Sequence, residues 1–207
     1  MAKNRIITNP NLSVVITNNG KPSLMVNVDG HEIKLNSNGS SPKPKNLIIE
    51  YKADSKPESK WIDENCVDNI FDGYKGQLIL KEGLTEIVNN DVQGQSNIFG
   101  DVKEGNVKEV DIPLGISKIG NEAFLCCSGL TSVTIPDTVT EIGDWTFSEC
   151  SSLSLVMSYA IVPPILGDFA FNGIDEYATL TVPTGSVEAY QKSDWAGYFK
   201  NITDEQK

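Results

Sequence analysis

Residues 131–150 read TSVTIPDTVTEIGDWTFSEC, and residues 108–127 read KEVDIPLGISKIGNEAFLCC. Shifted by 23 positions, the two stretches coincide at their apolar places. Val110, Ile112, Pro113, Ile119, Gly120, Phe124 and Cys127 return as Val133, Ile135, Pro136, Ile142, Gly143, Phe147 and Cys150. The polar residues between them drift. A unit this short cannot bury its own apolar face, but it can do so against a copy of itself, so ladder places are fixed and outward places are free.

Within the unit, Leu130-Thr-Ser-Val133-Thr-Ile135 alternates as a short strand with one buried face. Pro136 and Asp137 turn the chain, because proline fixes its own backbone and donates nothing to a ladder. Val139 and Ile142 supply a second inward step, and Gly143 is expected to permit a tight bend. Phe147 and Cys150 fill the back of the coil, and Leu153 begins the next one. Equivalent strands then pair edge to edge at roughly 4.8 Å. The expected fold is mainly β, a short right-handed solenoid with few regular helices.

The unit LTSVTIPDTVTEIGDWTFSECSSL also resembles the BspA-like leucine-rich repeat. That repeat has a strand, an IP pair, a V-x-x-IG step, then an aromatic and a cysteine before the next SSL. The resemblance is most specific at 107–153 and extends over about 46–202. Upstream, LILKEGLTEIV at 78–88 fits the frame, with Leu80, Leu84 and Ile87 in the places of Ile135, Val139 and Ile142. The spacing there is 32, so NNDVQGQSNIFGDVKEGN at 89–106 carries about nine extra residues. NLIIEYKADSKPESKWI at 46–62 resembles the strand-and-loop lead-in to such arrays. Downstream, VPPILGDFAF at 162–171 is a divergent unit whose Leu166, Gly167 and Phe171 run one residue late. ATLTVPTGSVEAYQKSDWAGYFKNI at 178–202 resembles the terminal cap. It reads as a last strand, a turn and a short helix, with Ser186 as N-cap and Glu188 in the first turn. Val187, Tyr190, Trp195 and Phe199 give the cap an apolar side.

The first 45 residues differ. Leu12–Thr17, Ser23–Val28 and His31–Leu35 alternate, separated by Asn19-Gly20 and Asp29-Gly30, which tolerate the positive φ of tight hairpins. They read as a β-meander, and three strands alone are marginally stable. NSNGSSPKPKN at 36–46 is a polar linker. The expected organisation is residues 1–45 as a docking or assembly element and 46–207 as the leucine-rich-repeat domain with its cap.

Composition narrows the function. A net charge of -11 over 207 residues disfavours nucleic acid and anionic membranes. No apolar run is long enough to span a bilayer, and MAKNRIITNPNLSVVI lacks the pattern of a secretory leader. Four cysteines without paired CxxC spacing and one histidine, His31, offer no structural zinc site. Asp63, Glu64 and Asp68 do not match a calcium loop and read as a solvated acidic loop. No phosphate-binding glycine motif or GxSxG elbow is present, so no cofactor, metal or catalytic residue is assigned. Asn-x-Ser/Thr occurs at Asn11, Asn38 and Asn201. Cys127 and Cys150 share a repeat position, which admits a disulfide but favours packing as small hydrophobes. Cys126 points away, with nothing basic nearby to activate it.

Leucine-rich arrays usually offer the outward strand positions to partners. Here these are Lys108, Glu109 and Asp111, then Thr131, Ser132 and Thr134, then Ser154, Leu155 and Met157. Trp145, which stands where the preceding unit has Glu122, is expected outside and is a further contact candidate. Trp195 is expected to pack under the cap. The resemblance implies adhesion, surface display and binding of a protein or glycan. With no leader visible, a phage fibre, decoration or tail protein is the leading reading, displayed on the particle surface and docked through residues 1–45 as a natural homo-oligomer. The alternative is a bacterial surface or secreted adhesin. A glycan-active enzyme would need two carboxylates flanking one cleft, and no such pair stands out.

Overall fold

The 23-residue period of the sequence becomes a step from one strand to the next. A computed structural model describes residues 8–9, 12–18, 22–28, 31–35, 47–88, 96–101 and 107–204. The chain divides into two compact units, Met1–Lys45 and Asn46–Lys207. In the first, β1 (Thr8–Asn9), β2 (Leu12–Asn18), β3 (Pro22–Val28) and β4 (His31–Leu35) form one antiparallel sheet in chain order. Val15 faces Met25 in the ladder, and Val26 faces Ile33. The two Gly-containing turns and the polar linker at 36–46 lie outside the described residues, as do Asn11 and Asn38.

The second unit opens with β5 (Ile48–Ala53), α1 (Lys60–Asn65), β6 (Cys66–Phe71), β7 (Lys75–Leu80), β8 (Glu86–Ile87), β9 (Ser96–Asn97) and β10 (Gly100–Asp101). Then come the coils, each a longer strand followed by a two-residue one. They are β11 (Val107–Asp111) with β12 (Lys118–Ile119), β13 (Ser132–Ile135) with β14 (Glu141–Ile142), and β15 (Leu155–Ser158) with β16 (Ile165–Leu166). The chain closes with β17 (Thr179–Val182), α2 (Val187–Gln191), a 3₁₀ turn at Asp194–Gly197 and β18 (Asn201–Asp204). Three sheets result, an eight-stranded one ordered β18-β17-β15-β13-β11-β5-β7-β6, a four-stranded one ordered β16-β14-β12-β8 and the two-stranded pair β10-β9.

The registers reproduce the sequence spacing. Val110 faces Val133, which faces Val156, while Ile142 faces Leu166, one residue late. Ile119 faces Ile87 across the 32-residue gap. The extra residues there fall mostly within 89–95 and 102–106, outside the described residues. On the turn side of each coil, alternate N–H groups donate to the next coil: Phe124 to the Thr146 carbonyl at 2.9 Å and Phe147 to that of Ala170 at 2.7 Å. Leu130, Val133, Ile135, Val139, Ile142, Phe147, Cys150 and Leu153 are each at most 1% exposed. Each such aliphatic contributes roughly 1.5–3 kcal/mol relative to exposure.

An aromatic column runs through the core. Phe147 is stacked between Phe124, at 4.9 Å and 4°, and Phe171, at 5.0 Å and 11°. Tyr51 and Phe99 continue it at one end, and Trp195 and Phe199 at the other. Trp195 is fully buried under the cap, as expected, and its indole N–H donates to the Pro164 carbonyl at 2.9 Å.

Several details differ from the sequence reading. Leu80 does not stack on the next coil, because β5 inserts antiparallel between β7 and β11. The glycine of the IG step answers crowding rather than a bend. Gly143 has no positive φ, but a Cβ there would lie 2.3 Å from Asn121 Oδ1 and 2.6 Å from its backbone nitrogen. Ser186 flanks α2 without a side-chain capping bond, its Oγ buried and unpartnered, because its own backbone is already helical. Asp63 and Glu64 ride on α1 and Asp68 on β6 rather than forming a loop. Ser59 starts that helix: its Oγ accepts from Ile62 N–H at 3.0 Å and donates to the Ile98 carbonyl at 2.6 Å.

Candidate interaction surface

Because strand side chains alternate, one register step fixes two outward rows. Glu109, Ser132, Leu155, Thr179 and Asn201 form the first, and Asp111, Thr134, Met157, Thr181 and Thr203 the second. Between them Val110, Val133, Val156 and Leu180 point into the core. The antiparallel strands extend both rows: β5 adds Lys52 and Glu50, β7 adds Lys75 and Gln77, and β6 adds Ile70. The alternation of IIEYKA and KGQLIL was the available signal for these strands; their place in the sheet was not.

The two halves of this face differ in chemistry. Upstream, Lys52 pairs with Glu109 at 2.5 Å, Lys108 with Asp54 at 2.9 Å, and Gln77 Nε2 donates to Glu50 at 3.1 Å. The hydrogen bond that Lys52 donates to Glu109 raises its pKa. Glu50, Lys52, Gln77 and Glu109 line an open depression of about 520 Å³ with Ile70, Asp72, Lys75 and Asp111. Thr131 is spent on the sheet, since its N–H and Oγ1 both donate to the Lys108 carbonyl. Downstream, Ser132, Thr134, Leu155, Met157 and Thr181 are half-buried. Among the described residues no ion pair touches them.

Compared with known families, residues 95–197 match the BspA type leucine rich repeat region, in six copies. The chain carries a BspA-type leucine-rich repeat region. Comparison with curated proteins found no match. The antiparallel lead-in at 47–88 lies upstream of the matched BspA-type span.

Trp145 stands apart from the strand rows, on the turn side of its BspA-type coil. It is 41% exposed, in left-handed backbone at φ 56°, and stacked on Phe169 at 4.5 Å. Phe169 was missed, although LGDFAF places it one residue late in the same column. Asn201 lies on the edge strand β18. The side chain of His31 lies outside the described residues.

The four cysteines are free. Cys150 Sγ lies 3.1 Å from the Phe124 carbonyl as donor, and burial holds its pKa well above the ordinary value. Burial lifts Cys66 to about 11 and also raises Cys126, where Glu149 adds to the effect. Cys66, Cys127 and Cys150 are buried and pack as small hydrophobes, while Cys126 is half-buried. Among the described residues, no three His, Cys, Asp or Glu side chains gather to hold a metal, and no helix is long and apolar enough to cross a membrane.

Proposed function

We propose that this is a non-enzymatic interaction protein that presents the β13–β15–β17 face to a protein or glycan partner, with Thr134 and Met157 at its centre. The division of the face carries this reading. In its upstream half Lys52 and Lys108 are already held in ion pairs with Glu109 and Asp54, whereas its downstream half offers hydroxyls around Leu155 and Met157. Interface centres are depleted of charge and enriched in methionine, and this half has both features. The BspA-type repeats support the reading, since repeat arrays serve as extended binding surfaces. A photo-crosslinking residue at Met157 captures a partner on a phage particle or cell surface, and one at Ser128, outside the rows, does not. Equal capture at both would overturn the face assignment.

The finer reading is a phage fibre, decoration or tail protein docked through residues 1–45. The separateness of the Met1–Lys45 unit supports it. A bacterial surface or secreted adhesin is the alternative. Light scattering tests the docking element. An oligomer that becomes monomeric when the chain starts at Asn46 fits assembly through residues 1–45, and a monomer in both forms contradicts it.

A further inference from the structure

Two side-chain columns run along the turn side of the coils, and both end beside the C-terminal cap. In the first, Asn121 Oδ1 accepts from Asp144 N–H at 3.0 Å and Asp144 Oδ1 accepts from Asp168 N–H at 2.8 Å. Asp168 has no following coil to serve, and among the described residues no N–H reaches its carboxylate. In the second, Glu122, Trp145 and Phe169 share left-handed backbone at φ 57°, 56° and 56°. The Trp145 and Phe169 rings stack at 28°, and Phe169 remains 49% exposed.

The last members of both columns, Asp168 and Phe169, line an open depression with Ser193, Asp194 and Tyr198 of the cap, and no lysine or arginine lines it. Burial raises the pKa of the Tyr198 phenol, and the nearby charges of Asp168 and Asp194 raise it further. Aromatic faces beside carboxylates suit a cation, and a planar guanidinium satisfies both at once.

We propose that this depression binds a guanidinium group, an arginine side chain of a partner protein. A neutral sugar would use the rings but not two carboxylates, and an anionic ligand would be repelled. The chain's net charge of -11 draws basic segments toward it. The site is separate from the strand face, so neither assignment depends on the other.

Trp145, 41% exposed and stacked on the lining residue Phe169, serves as reporter, while Trp61 and Trp195 are at most 5% exposed. The experiment titrates the full chain with a terminally blocked Gly-Arg-Gly peptide, the matching citrulline peptide and maltotetraose, following tryptophan emission. The arginine peptide gives a saturable change, and the other two give none. The double variant Asp168→Asn, Asp194→Asn, with an unchanged circular dichroism spectrum, weakens binding about two- to fivefold. Equal responses to arginine and citrulline, saturation by maltotetraose, no saturable response to arginine, or unchanged affinity in the double variant would each overturn the proposal.

Discussion

The coils from Val107 to Phe171 and the stretch before them, the antiparallel lead-in with Phe99, feed one aromatic column by different means. In the coils the strands are parallel and the rings lie within 11° of parallel, at 4.9 and 5.0 Å. In the lead-in β5, β7 and β6 are antiparallel, and although Tyr51 lies flat beside Phe71 at 6.1 Å and 4°, the rings that join it to the coils tilt by 59° and 42°. The C-terminal end repeats the change, since Phe171 meets Trp195 at 44° and Phe199 at 71°. Along this column the flat contacts are the two between equivalent residues of successive coils. At its ends the apolar column must be closed by something of another shape, an antiparallel ribbon at one side and the helical cap at the other. There the buried Tyr190 hydroxyl bonds Ser158 and the Ala160 carbonyl, tying the cap to the last coil.

The largest expected effect tests this contrast directly. Phe147→Ala removes a ring held on both faces and should cost about 3–5 kcal/mol in denaturant unfolding. Phe99→Ala, in the tilted stretch, should cost less. Equal costs would erase the distinction between flat and tilted stacking. Next, Gly143→Ala should cost about 1–3 kcal/mol, because the added methyl meets the Asn121 side chain and backbone of the preceding coil. Gly197→Ala in the cap, with nothing within 4 Å and no positive φ, should stay within about 0.5 kcal/mol. A large cost at Gly197 would show that the cap is packed as tightly as a coil.

Smaller still, Asn121→Ala leaves Asp144 N–H without its acceptor and should cost about 1 kcal/mol by thermal or urea unfolding. A pH series sharpens the lead-in side of the comparison. Burial lifts Tyr51 to about 12 and Cys66 to about 11. Both pKa values are raised above their unfolded values, so the unfolded chain loses these protons first as pH rises. Their contribution is intact below about pH 9 and is lost through pH 11 and 12. Unfolding midpoints measured from pH 8 to 11 should be level at first and then fall, and Tyr51→Phe should flatten the fall above about pH 10.

Where the chain repeats itself, spacing alone gave the registers, including the late step at Leu166 and the long one from Ile87 to Ile119. Outward strand places were readable for the same reason, because alternation fixes the face. What an outward residue meets was not readable, since that depends on the neighbouring strand. Lys108 and Glu109 are engaged by Asp54 and Lys52 only because β5 turns antiparallel onto β11. The last strand escaped notice because Asn201-Ile-Thr-Asp204 is short and polar, with a single half-buried isoleucine facing Leu180. The crowding that requires Gly143 is likewise a property of two coils together.

Residue-resolved native-state amide exchange tests most directly whether lead-in and coils form one continuous sheet. Amides of β5 and β7 should exchange through the same opening, with the same free energy, as those of β11, β13 and β15. Exchange of residues 47–80 at a much lower free energy, with 107–158 still protected, would contradict a continuous eight-stranded face.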